Sequence, residues 1–246
     1  PGPLVEPLVF DGVSFQYQPD GPAVLKDIRL KIGVGEKVGI IGGIGSGKST
    51  LLKLLVNLQM PTTGQVLWNG IPVHHYHSDR LRRHMGVAFQ SATFFRGTIK
   101  ENITLGRSDV PEQELLSALQ VSGALAWIKS QPLGLDTQIG ENGTGLSSGQ
   151  RQTLVIARAF LGERSCYVLD EPTSDLDIRT ENALVHRLRQ IDKTRTLILV
   201  SHRQQLLEAV DRLIVMEKGR ILLDGEKTEV MGQLKTIVET ENRKSA

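Results

Sequence analysis

Residues 42–50 read Gly-Gly-Ile-Gly-Ser-Gly-Lys-Ser-Thr, and no other stretch constrains the fold as much. They match G-x-x-x-x-G-K-[ST], a loop that works only between a strand and a helix. Both flanks agree. Glu-Lys-Val-Gly-Ile-Ile-Gly at 36–42 is a continuous apolar run ending in glycine, as a buried parallel strand is. Leu51, Leu52, Leu54, Leu55 and Leu58 fall at helical spacing, which predicts a helix from near Ser49 that ends before Pro61. Gly42, Gly43, Ile44, Gly45, Ser46, Gly47, Lys48, Ser49 and Thr50 are therefore the predicted phosphate cradle. Its glycines let backbone N–H groups wrap a phosphate chain, and the helix dipole adds to the field. Lys48 supplies a point charge for the β- and γ-phosphates, and the Ser49 hydroxyl is a ligand for Mg²⁺.

The rest of the pattern predicts an α/β chain around that loop. The segments 8–17 and 27–33 alternate apolar and polar residues, as half-buried antiparallel strands do. Short strands are predicted at 64–70 and 84–90. From about Pro111 to Gln131 the period turns helical, with no strand expected until Ser165; this block, about 92–163, reads as a helical lobe inserted in the α/β domain. Ser165–Glu171 and Thr196–His202 read as buried parallel strands separated by a helix over roughly Arg179 to Gln190. Residues 211–225 read as a hairpin turning at Lys218-Gly219, followed by a final helix. The expected division is a linker over 1–7, one nucleotide-binding domain over 8–240 and a charged tail over 241–246.

Composition narrows the class. A formal net charge of +2 gives no electrostatic reason to expect nucleic acid as a partner. A single cysteine, Cys166, excludes an internal disulfide and suits a reducing compartment; inside an apolar strand it reads as core filler. No apolar run reaches membrane-spanning length, and no signal peptide is expected. His74, His75 and His77 match no common zinc spacing and read as a solvated connector.

Chemistry-bearing side chains fall at predicted strand ends, where α/β sheets place ligands. Asp170 ends one strand, as a carboxylate that can hold Mg²⁺ directly or through water. Glu171 follows, either to polarise an attacking water or to cap the next element. His202 ends the next strand, near the expected γ-phosphate or as a satisfied polar group. Gln90 has the same position after 84–89, or is a plain surface glutamine.

One further stretch is a helix start flanked by small residues, Glu141 to Gln152, an anion site about a hundred residues after the first. With the features above, it gives the chain a close resemblance to the ATP-binding-cassette family, from about Leu8 to Leu234. Leu-Ser-Ser-Gly-Gln at 146–150 resembles the family signature Leu-Ser-Gly-Gly-Gln, and Ser-Asp-Leu-Asp at 174–177 resembles its D-loop, usually Ser-Ala-Leu-Asp. Gln90 stands at the Q-loop position, where it also contacts the metal, His202 at the H-loop and Tyr17 at the A-loop, where an aromatic ring stacks on adenine. The core reading of the same region makes Phe15 the exposed ring and Tyr17 the buried one.

The resemblance implies a P-loop core with an antiparallel subdomain, MgATP as the bound nucleotide, and ATP hydrolysis with Glu171, His202, Lys48 and Gln90 at the chemistry. It also implies a partner. Two copies pack head to tail, so that Ser147, Gly149 and Gln150 of one reach the nucleotide on the P-loop of the other. Ser148 stands where glycine is usual, and Asp175 where alanine is usual. Thr137–Gly143 resembles the exporter segment Thr-x-Val-Gly-Glu-x-Gly, making Glu141 a candidate for coupling to a membrane domain, and Phe94–Ile103 resembles Phe-Ser-Gly-Thr-Ile-Arg-Glu-Asn-Ile. The C-terminal half is most similar to type I protein-secretion ATPases, which places the chain at the cytoplasmic face of the plasma membrane; a lipid or drug exporter is the alternative. A DNA-repair ATPase of this family would need a long coiled coil between Thr50 and Leu146, and no sustained heptads occur there.

Overall fold

The computed structural model describes residues 2–245. In chain order, β1 (Leu8–Phe15), β2 (Leu25–Ile32) and β3 (Lys37–Ile41) lead into α1 (Lys48–Leu55). Then come β4 (Thr63–Trp68), β5 (Ile71–Pro72), α2 (Ser78–Arg82) and β6 (Met85–Ala88). The middle of the chain holds β7 (Gly97–Thr98), α3 (Ile99–Thr104), α4 (Glu112–Ser122), α5 (Leu125–Lys129), β8 (Gln138–Ile139) and α6 (Ser148–Phe160). The last part is β9 (Cys166–Asp170), α7 (Ile178–Arg189), β10 (Thr196–Val200), α8 (Gln204–Leu207), β11 (Arg212–Glu217), β12 (Arg220–Glu226) and α9 (Lys227–Ser245).

A six-stranded sheet in the order β12-β11-β3-β10-β9-β6 forms the centre, with every neighbouring pair parallel except β11–β12. A four-stranded antiparallel sheet, β2-β1-β4-β5, packs against one of its faces. The continuous apolar runs of the central strands follow from burial on both faces. Cys166 and Val168 of β9 point into the core shared with α1 and the antiparallel sheet. Tyr167 and Leu169 point to the opposite core, shared with α6, α7 and the helical lobe. Ile198 and Val200 alternate with Leu197 and Leu199 in the same way on β10. Burial pushes the Cys166 thiol up to about 12, so it behaves as an apolar side chain at neutral pH.

The hairpin turns where the dipeptide predicts. Glu217 pairs with Arg220, and Lys218 and Gly219 between them adopt φ of 48° and 80°, the two left-handed residues of a type I′ turn.

Three expectations need correction. Leu58 lies beyond the end of α1, because Asn57 at φ 55° breaks the helix, and its side chain is exposed rather than packed on the helical stripe. The block expected to hold no strand before Ser165 contains β8, which pairs with β7 through Gly97↔Ile139 and Thr98↔Gln138. Two residues carry no period, and their partners lie far away in sequence, so periodicity is blind to this ladder. The N-terminal segment read as linker is docked. Leu4 is buried and its N–H donates to Ser165 Oγ, while the Asn69 side chain accepts from Val5 and Glu6 and donates to the Pro3 carbonyl.

Candidate functional site

The sheet register brings four loops to one edge. Ile40, Val200 and Asp170 stand in one row of β3, β10 and β9, and Ala88 of β6 pairs with Leu169 one step back. The chain therefore leaves these strands side by side as Gly42, His202, Glu171 and Gln90. This is the carboxyl edge of a parallel sheet, where α/β folds bind ligands.

At β3 the loop to α1 closes tightly. A Cβ on Gly42, at φ 153°, would lie 2.2 Å from the Met216 carbonyl oxygen. A Cβ on Gly47, at φ 101°, would lie 2.6 Å from the Leu25 side chain. Both positions demand glycine. Lys48 Nζ folds back to donate to the carbonyls of Gly42 and Gly43 at 2.7 and 2.9 Å and to Ser46 Oγ at 3.3 Å. No side chain caps the first turn of α1, so its N–H groups face the loop's concavity unmasked.

The β9 end is built around strain and burial. Asp170 is buried, and its desolvation pushes the carboxyl above the ordinary carboxylate range, against a hydrogen bond from Ser49 that pulls it down. Glu171 adopts φ 47°, a left-handed conformation that costs a residue other than glycine about 1–3 kcal/mol. Its N–H donates to the Val200 carbonyl at 2.9 Å, which anchors the turn. The turn carries the Glu171 side chain across the end of β10. There Oε2 accepts from Ser201 Oγ at 3.1 Å, and Oε1 lies 2.9 Å from His202 Nδ1. A carboxylate so engaged is not a helix cap; the capping role after β9 belongs to Asp177, which accepts from Thr180 N–H at 3.0 Å at the start of α7.

The aromatic alternatives also separate. Phe15 is 5% exposed and Tyr17 54%, the reverse of the core reading of Tyr17. The Tyr17 ring stands edge-on to Phe15 with centroids 4.8 Å apart, and its hydroxyl lies 3.1 Å from Thr50 Oγ1 on α1. Gln90 follows β6 as an exposed residue at the same sheet edge.

The signature stretch opens α6. Ser147 is its N-cap: Oγ accepts from Gln150 N–H at 3.2 Å, while Gln150 Oε1 accepts from Ser147 N–H at 2.9 Å, a complete capping box. Ser148 sits at the first helical position, without positive φ, so serine replaces glycine there without backbone cost. Gly149 is the tight position, where a Cβ would approach the Asp175 carbonyl to 3.0 Å. Ser147 and Gly149 are not gathered with Lys48 and Glu171; they line a separate cavity of about 380 Å³ with Asp175, Asp177 and Thr180.

Several residues that tie these parts together carry no signal in the sequence. Buried Gln152 of α6 donates to the Pro172 carbonyl at 2.8 Å, joining the signature helix to the turn after Glu171. Arg203, next to His202, pairs with buried Glu181 and donates to the Ser174 carbonyl at 3.1 Å. Arg158 donates to the carbonyls of Thr93 and Asn102, both at 2.8 Å, and stacks over Phe94; burial pulls its guanidinium down to about 10. It holds Phe94–Ile103 in place, and the β7–β8 ladder with the Asn142 N–H to Phe94 carbonyl bond (2.9 Å) brings that segment against Thr137–Gly143. The two exporter-like stretches are thus one unit in space. His74 and His75 lie edge to face on a 3₁₀ turn, and among the described residues no group of three His, Cys, Asp or Glu could hold a metal ion.

Residues 25–174 match the family described as ABC transporter. The chain belongs to the ABC transporter family. Membership implies ATP binding. It is similar to the leukotoxin export ATP-binding protein LtxB of Aggregatibacter actinomycetemcomitans, 39% identical over 222 residues, or 90% of this chain and 31% of that protein. The toxin RTX-I translocation ATP-binding protein of Actinobacillus pleuropneumoniae is 39% identical over 224 residues, 91% of this chain and 32% of its own length. The chain thus spans about a third of the length of these curated relatives. Among solved structures, a bacterial Atm1-family ABC exporter with ATP bound superimposes with a TM-score of 0.89 at 30% identity, covering 99% of this chain and 43% of that one. That agreement in fold extends to both sheets and the helical lobe.

Proposed function

We propose that the chain is the ATP-hydrolysing module of an exporter of the type I secretion group, working as a head-to-tail dimer below a membrane domain. The observation that carries the reading is the Glu171 carboxylate at the sheet edge beside the P-loop, held by Ser201 and by His202 at 2.9 Å.

The phosphates of ATP fit the cradle of residues 42–50. Lys48 Nζ exchanges its bonds to the loop carbonyls for phosphate oxygens, and the open first turn of α1 adds its N–H groups. Tyr17, with an exposed ring and a hydroxyl tethered to Thr50, is placed to stack on the base. Ser49, Asp170 and Gln90 offer the hard oxygen donors that suit Mg²⁺, with phosphate oxygens completing the coordination. When bound, that ion neutralises charge on the phosphates. Glu171 orients water and takes its proton, and His202, bonded to Glu171 through Nδ1, is the side chain assigned to the terminal phosphate.

Ser147 and Gly149 line a cavity apart from this cradle, which supports their service to the nucleotide of a second copy; a two-fold arrangement completes both sites at once. Among the described residues no helix is long and apolar enough to cross a membrane; in this reading the module works with a separate membrane domain, at its cytoplasmic face. The names of the relatives favour toxin-type protein export over lipid or drug export. Phosphate release by Glu171→Gln tests the core of the reading. Loss of the base cuts turnover by about 10²–10⁴-fold while MgATP still binds; turnover near that of the parent overturns the assignment.

A further inference from the structure

The first turn of α6 exposes Ser147 and Ser148, so its aim depends on what braces it from behind. The brace is a chain of matched hydrogen bonds. Thr153, one turn into the helix, donates its hydroxyl proton to the Gln150 carbonyl at 2.8 Å. A hydroxyl has one proton, so any other partner must donate to it. Trp127 Nε1–H does, at 3.2 Å. Gln150 in turn closes the capping box on Ser147. Trp127 belongs to α5 in the helical lobe, and its half-buried indole lines the same 380 Å³ cavity as Ser147, Gly149 and Asp175.

We propose that Trp127 is a positioning residue for the signature turn: its indole N–H fixes the Thr153 hydroxyl, and through Gln150 holds Ser147 and Gly149 at the distance the partner's nucleotide requires. The proposal rests on the trans role of Ser147 given above. A helical Thr that bonds back to its own i−3 carbonyl competes with the helix ladder. A fixed donor on the other side of that hydroxyl restricts its rotation and steadies the turn. Without the indole N–H, Ser147 Oγ and the Gly149 N–H lose their aim, while Lys48 and Glu171 on the other side of the nucleotide keep theirs. ATP capture across the dimer weakens and the chemical step does not.

Steady-state ATP hydrolysis by Trp127→Phe, Thr153→Val, the double variant and Thr153→Ser tests this. Trp127→Phe keeps the ring and removes the donor. It raises KM for ATP about 2–10-fold, the size of one lost hydrogen bond, with kcat within about twofold. Thr153→Val does the same, Thr153→Ser behaves as the parent, and the double variant is no worse than the larger single, because both act on one relay. A merely structural tryptophan lowers the melting temperature and leaves KM alone. KM unchanged in both single variants, or effects that multiply in the double, overturns the proposal. Fluorescence gives an independent reading. The sequence has two tryptophans, and the other, Trp68, is fully buried in the opposite core. Adding MgATP to Glu171→Gln changes emission through Trp127; a change that persists in Glu171→Gln/Trp127→Phe contradicts the assignment. Ser147→Arg separates the two claims. If it is inactive while Trp127→Phe keeps the parent KM, only the role of Trp127 falls; if it is fully active, the trans reading falls first.

Discussion

Replacing Arg203 by Met should destabilise the protein far more than a surface ion pair would suggest. Glu181 is 2% exposed on α7, and Arg203 is the cation paired with it among the described residues. Its Oε1 has no hydrogen-bond partner there, so the carboxylate depends on that one contact. Removing the partner of a buried charge costs about 3–5 kcal/mol, because the charge left behind is neither solvated nor compensated. For a chain of this size, each kcal/mol moves the melting temperature by about 2–4 °C, so Arg203→Met should melt about 6–20 °C lower. The arginine is a third exposed, and water that reaches Glu181 through the gap brings the figure towards the lower end. Adding Glu181→Met should recover most of the loss, since a matched apolar pair replaces an ion pair at little cost. Arg203 also donates to the Ser174 carbonyl, so both variants should show weakened ATP hydrolysis even at temperatures where they are folded. Calorimetric melting of the two variants decides it. A single variant that melts with the parent, or a double variant no better than the single, refutes the reasoning.

Tyr17→Ala should weaken ATP binding by about 1–3 kcal/mol, the worth of one base stack, with little change in melting temperature because the ring is exposed; Tyr17→Phe should bind as the parent. Titration calorimetry with ATP checks both, and unchanged affinity in the alanine variant removes Tyr17 from the base site. The Asp177 carboxyl is held below its usual range, first by the Thr180 side chain and then by the Thr180 N–H. A carboxyl whose folded value is depressed contributes stability above its ordinary value near 3.9, and that contribution is lost as pH falls through the depressed one. Acid melts of Asp177→Asn, compared with the parent, should therefore converge below that window and diverge above it.

Much of the fold is written in local pattern. The P-loop with its flanks, the apolar runs of β9 and β10 and the Lys218-Gly219 turn each need only neighbouring residues to be read, and each stands where the sequence predicts. What escapes reading depends on contacts between distant residues. The β7–β8 ladder is too short to show a period. The side-chain bonds of Asn69 that dock Pro3, Val5 and Glu6 join segments more than sixty residues apart. Glu171 is legible as a carboxylate after a strand, but not its left-handed backbone, which is the device that turns it towards Ser201 and His202. The braces Arg158, Gln152 and Arg203 look in sequence like ordinary polar positions on helices or after a strand; only packing makes them parts of the site. Ser148 departs from the family pattern, and only the structure shows that it occupies a helical first-turn position, a backbone conformation any L-residue adopts.

Mixing two inactive variants tests the central claim, that one site draws its P-loop from one copy and its signature from another. In Lys48→Ala every site lacks the P-loop lysine, and in Ser147→Arg every site lacks a working signature. Lys48→Ala should lose on the order of 10²–10³ in rate, the cost of removing an aimed donor from transferring phosphate, and Ser147→Arg should be inactive because its bulk keeps the signature turn from closing on the partner's nucleotide. A mixed dimer gathers both defects in one site and leaves the other with an intact Lys48 and an intact Ser147. At saturating MgATP the mixture should therefore recover a substantial part of the parent's hydrolysis. A mixture that stays inactive while crosslinking detects mixed dimers contradicts the account.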